Sequence, residues 1–189
     1  MKSLSRRFLL AGLALLSGAC NVQALTLETV AEGLERPWAV AFLPDGRYLV
    51  TERPGRMRIV GADGRLGPPI AGVPEVDARG QGGLLDLVLD PDFARNRRLY
   101  FCYAEPGAEG SRTALATARL ATDGSSLEEV KLLFGQQPRV ASAVHFGCRI
   151  VLDSGVDLYL TLGERYRLQG AQALNEHLGK VIRLRRDGS

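Results

Sequence analysis

The sequence predicts an all-β protein built from repeats, and two observations support this. An apolar strand pattern runs into an Asp-Gly turn three times, at Asp63-Gly64, Asp123-Gly124 and Asp187-Gly188, with spacings of 60 and 64 residues. Each copy also opens with a half-alternating apolar stretch that ends in a polar turn. Four-stranded blades of a β-propeller fit this period, because one blade buries its faces only against neighbouring blades. About three blades are therefore expected here, as the front part of a longer propeller.

The strands are predicted from period-two alternation between turn signals. In the first copy they run through Thr29 and over 39–43, 48–51 and 57–60. In the second copy they run over 84–89, 99–103, 113–120 and 130–134, with a polar connection over 91–98. In the third copy they run over 149–152, 158–162 and 181–184. A short helix is expected only over 168–178.

Two segments between the copies, 76–83 and 135–146, do not follow the strand pattern. Loops that lead into the innermost strands of a propeller point to its central channel, where residues from several blades converge on one ligand. Function is therefore expected in these two loops. In the first loop, three glycines surround Gln81, which indicates a tight turn or a close approach to a ligand. An ordinary surface turn accounts for the same composition more simply.

The second loop ends at His145, one of two histidines in the chain. A lone histidine at the start of a strand is more often structural than catalytic, so the residue by itself decides nothing. His177 is the weaker catalytic candidate, and a hydrogen-bonding or packing role suits it.

Residues 1–24 have the composition of an export signal. Three basic residues precede an apolar run over 8–16, which is too short to span a bilayer. The pair Arg6-Arg7 favours twin-arginine export, and the general secretory route stays open. Cleavage after Ala24 would release a soluble periplasmic protein of residues 25–189.

The charge of the mature chain excludes two classes of partner. All of the excess positive charge lies in the signal, and residues 25–189 contain 21 basic and 21 acidic residues. Neither a nucleic-acid-binding stripe nor a polybasic membrane patch is predicted, and no transmembrane segment is expected in the mature chain.

Cys102 and Cys148 are the two cysteines of the mature chain. A disulfide can persist outside the cytoplasm, so they could pair. Each lies in an apolar strand pattern, and buried free thiols are the interpretation that we favour from the sequence.

Several short motifs follow one another along nearly all of the mature chain. They are Leu34-x-x-Pro37-Trp38, Pro44-Asp-Gly-x-x-Leu-Val-Thr-Glu-Arg53, Gly80-Gln-Gly-Gly-Leu-Leu-Asp86, Asp90-Pro-x-Phe93, His145-Phe-Gly147 with Arg149, Leu160-Thr-Leu-Gly-Glu164, and Ala171-Gln172 followed by His177-x-Gly-Lys-x-x-Arg183. Together they resemble the soluble quinoprotein sugar dehydrogenases, and most closely the periplasmic aldose sugar dehydrogenase branch.

This resemblance implies a six-bladed propeller that holds pyrroloquinoline quinone (PQQ) and calcium. Such enzymes oxidise the anomeric carbon of aldose sugars to lactones and pass electrons to an acceptor that the sequence does not identify. The resemblance implies that His145 is the general base, since a neutral imidazole suits removal of the C1 hydroxyl proton. It also implies that Gln81 contacts the cofactor and borders the substrate, and that Gln172 lines the sugar site.

The chain also departs from the family pattern. Val144 stands where the glucose-specific branch has Asp, which argues against tight glucose selectivity. The residues that clamp the carboxylates of the cofactor, and the calcium ligands, are expected beyond the equivalent of Ser189, so no metal ligand is assigned here.

Two other functions stay open. A calcium-dependent propeller lactonase or hydrolase would need acidic and amide side chains around a central metal, and the blade starts show no such cluster. A non-catalytic extracellular binding propeller would need only the repeats. A histidine base together with Gln81 near the propeller axis favours the dehydrogenase.

Overall fold

The computed structural model describes residues 25–189, and in this part of the chain eleven β-strands form three antiparallel sheets. The predicted export signal, residues 1–24, lies outside the described residues. The first sheet contains β1 (Pro37–Phe42), β2 (Tyr48–Glu52), β3 (Arg56–Val60) and β4 (Leu66–Pro69). The second contains β5 (Leu84–Leu89), β6 (Arg98–Glu105), β7 (Arg112–Leu120) and β8 (Leu127–Gly135). The third contains β9 (Gly147–Leu152), β10 (Asp157–Leu162) and β11 (Val181–Arg185). Each sheet is an up-and-down meander, because successive strands are neighbours.

The three predicted Asp-Gly turns share one geometry. The N–H groups of Gly64, Gly124 and Gly188 each donate to the carbonyl oxygen three residues earlier, at 2.9 Å. The aspartate before each glycine accepts a hydrogen bond from the backbone N–H two residues later, at 2.9 to 3.1 Å. All three glycines have positive φ, at 78°, 75° and 94°, a conformation that favours glycine. The repeat is therefore confirmed at its turns.

Strands β5, β6 and β7 of the second sheet are mostly buried, because their alternate residues pack against the sheets on either side, whereas the middle of β8 is exposed. On β6, Leu99 and Phe101 belong to the core shared with the first sheet. Tyr100 and Cys102 belong to the core shared with the third sheet. The first strands of the three sheets, β1, β5 and β9, lie next to one another. This is the arrangement of neighbouring propeller blades.

The predicted strand through Thr29 is wrong, because residues 25–36 contain no strand. The segment alternates like a strand, but no sheet edge pairs with it among the described residues. The fourth strand of the first sheet is instead β4, after the Asp63-Gly64 turn. β4 was not predicted from the sequence because it contains Pro68 and Pro69, and proline cannot donate a backbone hydrogen bond to a neighbouring strand. An edge strand such as β4 tolerates them.

The helix expected over 168–178 is reduced to one 3-10 turn, Leu168–Ala171. The Nζ of Lys180 donates to the carbonyl oxygens of Gly170 and Ala171, at 3.0 and 2.8 Å. The Gly170 carbonyl also accepts the N–H of Ala173, three residues later, at 3.2 Å, so the backbone bonds here are of the 3-10 type. The polar connection predicted over 91–98 contains one short helix, α1 (Phe93–Asn96).

Cys102 on β6 and Cys148 on β9 form a disulfide, with their Cα atoms 6.0 Å apart. The interpretation of these residues as buried free thiols is therefore wrong. Both cysteines are completely buried in the core between the second and third sheets. The alternation of each strand predicts that its cysteine is buried. It does not predict that both cysteines face the same core, because that depends on how the second and third sheets pack.

The outer faces of the first and third sheets keep apolar side chains exposed. Val40 and Phe42 of β1 are 52% and 73% exposed, and Val151 of β9 and Val181 of β11 are 53% and 66% exposed. An apolar groove of about 540 Å³ lies on the outer face of the first sheet. Across residues 25–189, the structure has no helix whose length and apolar character would allow it to cross a membrane.

Candidate active site

The two loops that were expected to carry function pack against each other where β5 and β9 begin. The backbone N–H of Gln81 donates to the carbonyl oxygen of Ala143, at 2.8 Å. Gly80 has a φ of 52°, and a Cβ at this position would overlap the same carbonyl oxygen. Although the sequence predicted a tight turn or an approach to a ligand, the glycine is therefore required by a close backbone approach. The partner in that approach is the second loop.

Gln81 is also bound to His145. The backbone N–H of His145 donates to Gln81 Oε1 at 2.8 Å. This bond uses the amide oxygen and leaves the NH₂ group of Gln81 available as a donor. The φ of His145 is 53°, a left-handed conformation that is uncommon for residues other than glycine. Such conformations persist only where surrounding contacts enforce them, and they are concentrated at functional sites.

The ring of His145 is paired with Glu164. Nδ1 of His145 is hydrogen-bonded to Oε1 of Glu164, and this bond lowers the pKa of the glutamate below its usual value. An ionised carboxylate on Nδ1 keeps the proton on that nitrogen, so the lone pair of neutral His145 lies on Nε2. Nε2 has no hydrogen-bond partner among residues 25–189. The pair therefore presents a free basic nitrogen.

The pairing of β9 with β10 places Glu164 beside His145. Beyond the strand ends, the N–H of Gly163 donates to the carbonyl oxygen of Phe146, at 3.0 Å. A Cβ at Gly163 would overlap the carbonyl of His145, so only glycine permits this approach. The next residue, Glu164, then lies alongside the imidazole. The ring of Tyr166 adds a second contact, with its centroid 5.2 Å from that of His145.

The histidine and the glutamine open on a cavity of about 300 Å³ between the three blade starts. Its lining residues are Trp38, Arg53, Gln81, Leu85, His145, Phe146 and Gly147. Arg53 spans the loop of Gln81: its Nε donates to the Gly82 carbonyl at 2.9 Å, and another guanidinium nitrogen donates to the Gly80 carbonyl. Both acceptors are neutral carbonyls, so no carboxylate offsets the positive charge of Arg53 through these bonds at the cavity wall.

A second cation lies close to the cavity. The guanidinium of Arg149 stacks on the ring of Trp38, 5.0 Å from its centroid, and its NH1 lies 2.8 Å from Asp86 Oδ1. Asp86 is almost completely buried, and desolvation raises its pKa. The N–H of Ile150 on β9 also donates to this carboxylate, at 2.7 Å. Asp86 therefore links the first strands of the second and third sheets and orients Arg149.

The other two predicted residues lie elsewhere. Gln172 is exposed at the end of the 3-10 turn and is not among the residues that line the cavity. His177 has the structural role expected of it, because its Nδ1 accepts the N–H of Gln137 at 3.0 Å. Its ring also packs on Phe134, with centroids 5.1 Å apart. Over residues 25–189, no group of three or more His, Cys, Asp or Glu side chains is placed to hold a metal ion.

Two residues of this site were not identified from the sequence. Glu164 and Arg53 both stand inside the quoted motifs, but nothing in their spacing connects them to His145 or Gln81. A signal for Glu164 does exist: an acidic residue follows a glycine at the end of the strand that would pair with the strand after His145. This signal identifies Glu164 only when the register between β9 and β10 is known.

Fold and site together define a propeller with a histidine-carboxylate pair at its blade starts, and comparison with known proteins identifies its family. The model of the glucose/sorbosone dehydrogenase family matches residues 34–189. The chain belongs to this family.

Individual relatives agree with this assignment. The aldose sugar dehydrogenase YliI of Escherichia coli K12 is 41% identical over 185 residues, covering 96% of this chain and 50% of that protein. A crystal structure of a glucose dehydrogenase is 44% identical, with a TM-score of 0.84, over 87% of this chain and 48% of that one. The PQQ-bound aldose sugar dehydrogenase of Streptomyces coelicolor is 31% identical, with a TM-score of 0.73, over 86% of this chain and 48% of that one.

These likenesses confirm the all-β propeller fold, while the count of six blades stays a prediction. The chain spans about half the length of the relatives described above.

Proposed function

We propose that this chain is the N-terminal part of an exported, periplasmic quinoprotein that oxidises aldose sugars at C1 to lactones, with PQQ and calcium. Membership of the glucose/sorbosone dehydrogenase family and the likeness to a PQQ-bound aldose sugar dehydrogenase support this proposal. In the same proposal, residues 1–24 are the export signal and residues 25–189 begin the propeller domain.

The observation that carries the proposal is the histidine-carboxylate pair: His145 lines the cavity, Glu164 binds its Nδ1, and its Nε2 has no hydrogen-bond partner among residues 25–189. Oxidation at C1 removes the hydroxyl proton and the C1 hydride and leaves a C1=O double bond. In this proposal Nε2 takes the proton, and the positive charge that forms on the imidazole is stabilised by the carboxylate of Glu164. A binding propeller would have no need of this pair.

The residues present fit one edge of a planar, anionic cofactor. The ring of Trp38 forms part of the wall, the amide of Gln81 offers donors, and Arg53 offers positive charge. When bound, PQQ supplies the two-electron acceptor for the hydride that leaves C1. Gln81 and Arg53 would hold its near edge, and Gln81 would also border the sugar. We keep Gln172 as a proposed sugar contact on the strength of the motif alone.

The test uses the product of the gene with its natural sequence after residue 189. We expect a red-shifted absorbance of bound quinone after addition of PQQ and calcium, and dye reduction that depends on an aldose. Residues 25–189 alone are the control and are expected to be inactive, because the carboxylate clamp and calcium ligands are predicted beyond them. A longer product that binds no quinone and oxidises no aldose would contradict the proposal.

A further inference from the structure

Arg165, the residue after Glu164, is a completely buried arginine. Its Nε donates to the Val144 carbonyl at 3.0 Å, and its NH1 donates to the Ser111 carbonyl at 3.1 Å. Its NH2 donates to the Ser142 carbonyl and to the Ser111 hydroxyl. The guanidinium also stacks on Phe146, 3.6 Å from the ring centroid.

The partners of Arg165 are unusual for a buried cation, because in the described chain no carboxylate lies within ion-pair distance of it. Buried charges are normally paired, since desolvation strongly disfavours them. Burial lowers the pKa of Arg165 to about 10, so the guanidinium is still charged at neutral pH. Carbonyl dipoles stabilise it at hydrogen-bond distance, and the more distant carboxylate of Asp77 raises its pKa. The contacts of the buried guanidinium suggest why an arginine is present at this position.

Two of the carbonyls that Arg165 binds, those of Ser142 and Val144, belong to the loop that ends at His145. Ser142 and Val144 flank Ala143, whose carbonyl accepts the N–H of Gln81. Gln81 in turn accepts the N–H of His145. Arg165 therefore has two connections to the histidine-carboxylate pair. It follows Glu164 directly in the chain, and its side chain binds the loop that carries His145.

The backbone at these positions needs such support. His145, Arg165 and Tyr166 all have left-handed φ, at 53°, 57° and 65°. This conformation is unfavourable for residues with a side chain, so it persists where other contacts enforce it. The planar guanidinium fork makes several directed hydrogen bonds at once, which a lysine ammonium on a flexible stem does not reproduce.

We propose that Arg165 is a positioning residue: its guanidinium fork fixes the 142–144 backbone so that His145 keeps its left-handed conformation, its bond to Gln81 and its alignment with Glu164. The catalytic consequence rests on the proposed function, whereas the structural consequence does not.

The chain offers a matched control in Arg97. This arginine also stacks on a phenylalanine, Phe93, at 5.8 Å. It also donates to two successive backbone carbonyls, those of Leu120 and Ala121, at 2.8 and 2.6 Å. It lies outside the cavity of His145. Loss of this fork should affect local structure without reaching the site.

The test compares Arg165→Lys and Arg165→Met with Arg97→Lys and Arg97→Met in the full-length gene product. The first measurement is hydrogen exchange at the His145 backbone amide. We expect about tenfold or faster exchange in both Arg165 variants, because the amide loses the loop that holds its acceptor. We expect a change of less than about twofold in the Arg97 variants. If the Arg165 variants do not fold, Ser111→Ala removes one contact and should produce a smaller acceleration.

Unchanged protection in folded Arg165 variants would overturn the proposal, as would equal acceleration in the Arg97 variants. Wild-type protection in Arg165→Lys with loss in Arg165→Met would also overturn it, because charge would then suffice without the fork.

A second measurement, of sugar oxidation, tests the catalytic consequence. We expect kcat to fall about tenfold or more in Arg165→Lys, with the KM for sugar nearly unchanged, because alignment of the base acts in the transition state. Accelerated exchange in a protein whose wild type oxidises no sugar would refute the proposed function and leave the positioning role intact. A wild-type kcat in Arg165→Lys would overturn the catalytic consequence.

Discussion

At the scale of single residues, the site depends on what each polar group already binds. The amide oxygen of Gln81 is occupied by the N–H of His145, and Nδ1 of His145 is occupied by Glu164. The groups left free are the NH₂ group of Gln81 and Nε2 of His145, and these are the groups that the proposed sugar oxidation would use. Both residues were predicted from the sequence, but their mutual contacts were not.

The first prediction concerns the hydrogen-bonded pair of His145 and Glu164. His145→Gln should lower the turnover of the full-length protein by about a hundredfold or more, because the proposed general base is lost. Glu164→Gln should lower turnover by a smaller factor, since the base remains but its cationic form loses a charged partner. Steady-state kinetics with quinone binding as a control would measure both. Activity of His145→Gln within a few-fold of wild type would show that the histidine is structural.

A second residue-scale prediction concerns Asp77, which lies at the start of the Gln81 loop. Arg79 binds its carboxylate through two nitrogens, at 2.8 and 2.7 Å. This bond is the main reason why the pKa of Asp77 falls from its ordinary 3.8 to about 2. The ionised group therefore stabilises the folded state above pH 3.8, and this contribution is lost as the pH falls through about 2. Because Arg79 is mostly exposed, we discount the effect for screening.

We expect Asp77→Asn to lower the free energy of unfolding by about 1 kcal/mol at pH 7. The difference from wild type should shrink below pH 4, which urea titrations at several pH values would measure. Asp45→Asn is the control, because Asp45 also binds two nitrogens of an arginine, here through one carboxylate oxygen, but is exposed. Its effect should be smaller. A difference for Asp77→Asn that is constant from pH 7 to pH 3 would contradict the assignment.

At the scale of elements, the contacts between neighbouring sheets decide where the loops lie. Thr51 on β2 donates its hydroxyl to the Leu85 carbonyl on β5, at 2.7 Å. Thr113 on β7 donates to the Phe146 carbonyl, at 2.8 Å. Asp86 on β5 accepts the N–H of Ile150 on β9. These polar links between blades hold the starts of β5 and β9 in register, so that the loops of Gln81 and His145 meet.

The disulfide between β6 and β9 gives the third prediction. It closes a sequence separation of 46 residues and ties the strand after His145 to the second sheet. Changing both cysteines to alanine should lower the free energy of unfolding by about 2 to 4 kcal/mol, mainly because the unfolded chain gains freedom. Urea unfolding would measure this, and wild type under reductant should match the double variant. An unchanged midpoint in both would show that the bridge does not form.

At the scale of the whole molecule, the exposed apolar faces of the first and third sheets dominate. A propeller blade normally buries both faces, yet the outer face of β1 exposes Val40 and Phe42, and the outer face of the third sheet exposes Val151 and Val181. Contiguous exposed apolar surface of this kind promotes association. A segment of residues 25–189 should therefore behave differently from a closed ring.

The fourth prediction is that residues 25–189, produced alone, self-associate at micromolar concentration. Sedimentation velocity would detect the larger species. Val40→Asp with Phe42→Asp should restore the monomer, because charges on the outer face of β1 oppose its burial. Val130→Asp, on β8 of the second sheet, is the control and should leave association unchanged. A monomeric parent segment would show that these faces do not drive association.

The sequence by itself determined the class of fold, the three repeated turns and ten of the eleven strands in the described chain. These are local properties, because alternation and turn chemistry can be read within a few residues. Gln81 and His145 were selected by the order of family motifs along the chain and not by their immediate surroundings. The tertiary structure decided β4, the Cys102–Cys148 bridge, the pairing of Glu164 with His145 and the placement of buried Arg165. Each of these depends on which strand edges and loops meet across blades, and that register is set by packing between segments far apart in the chain.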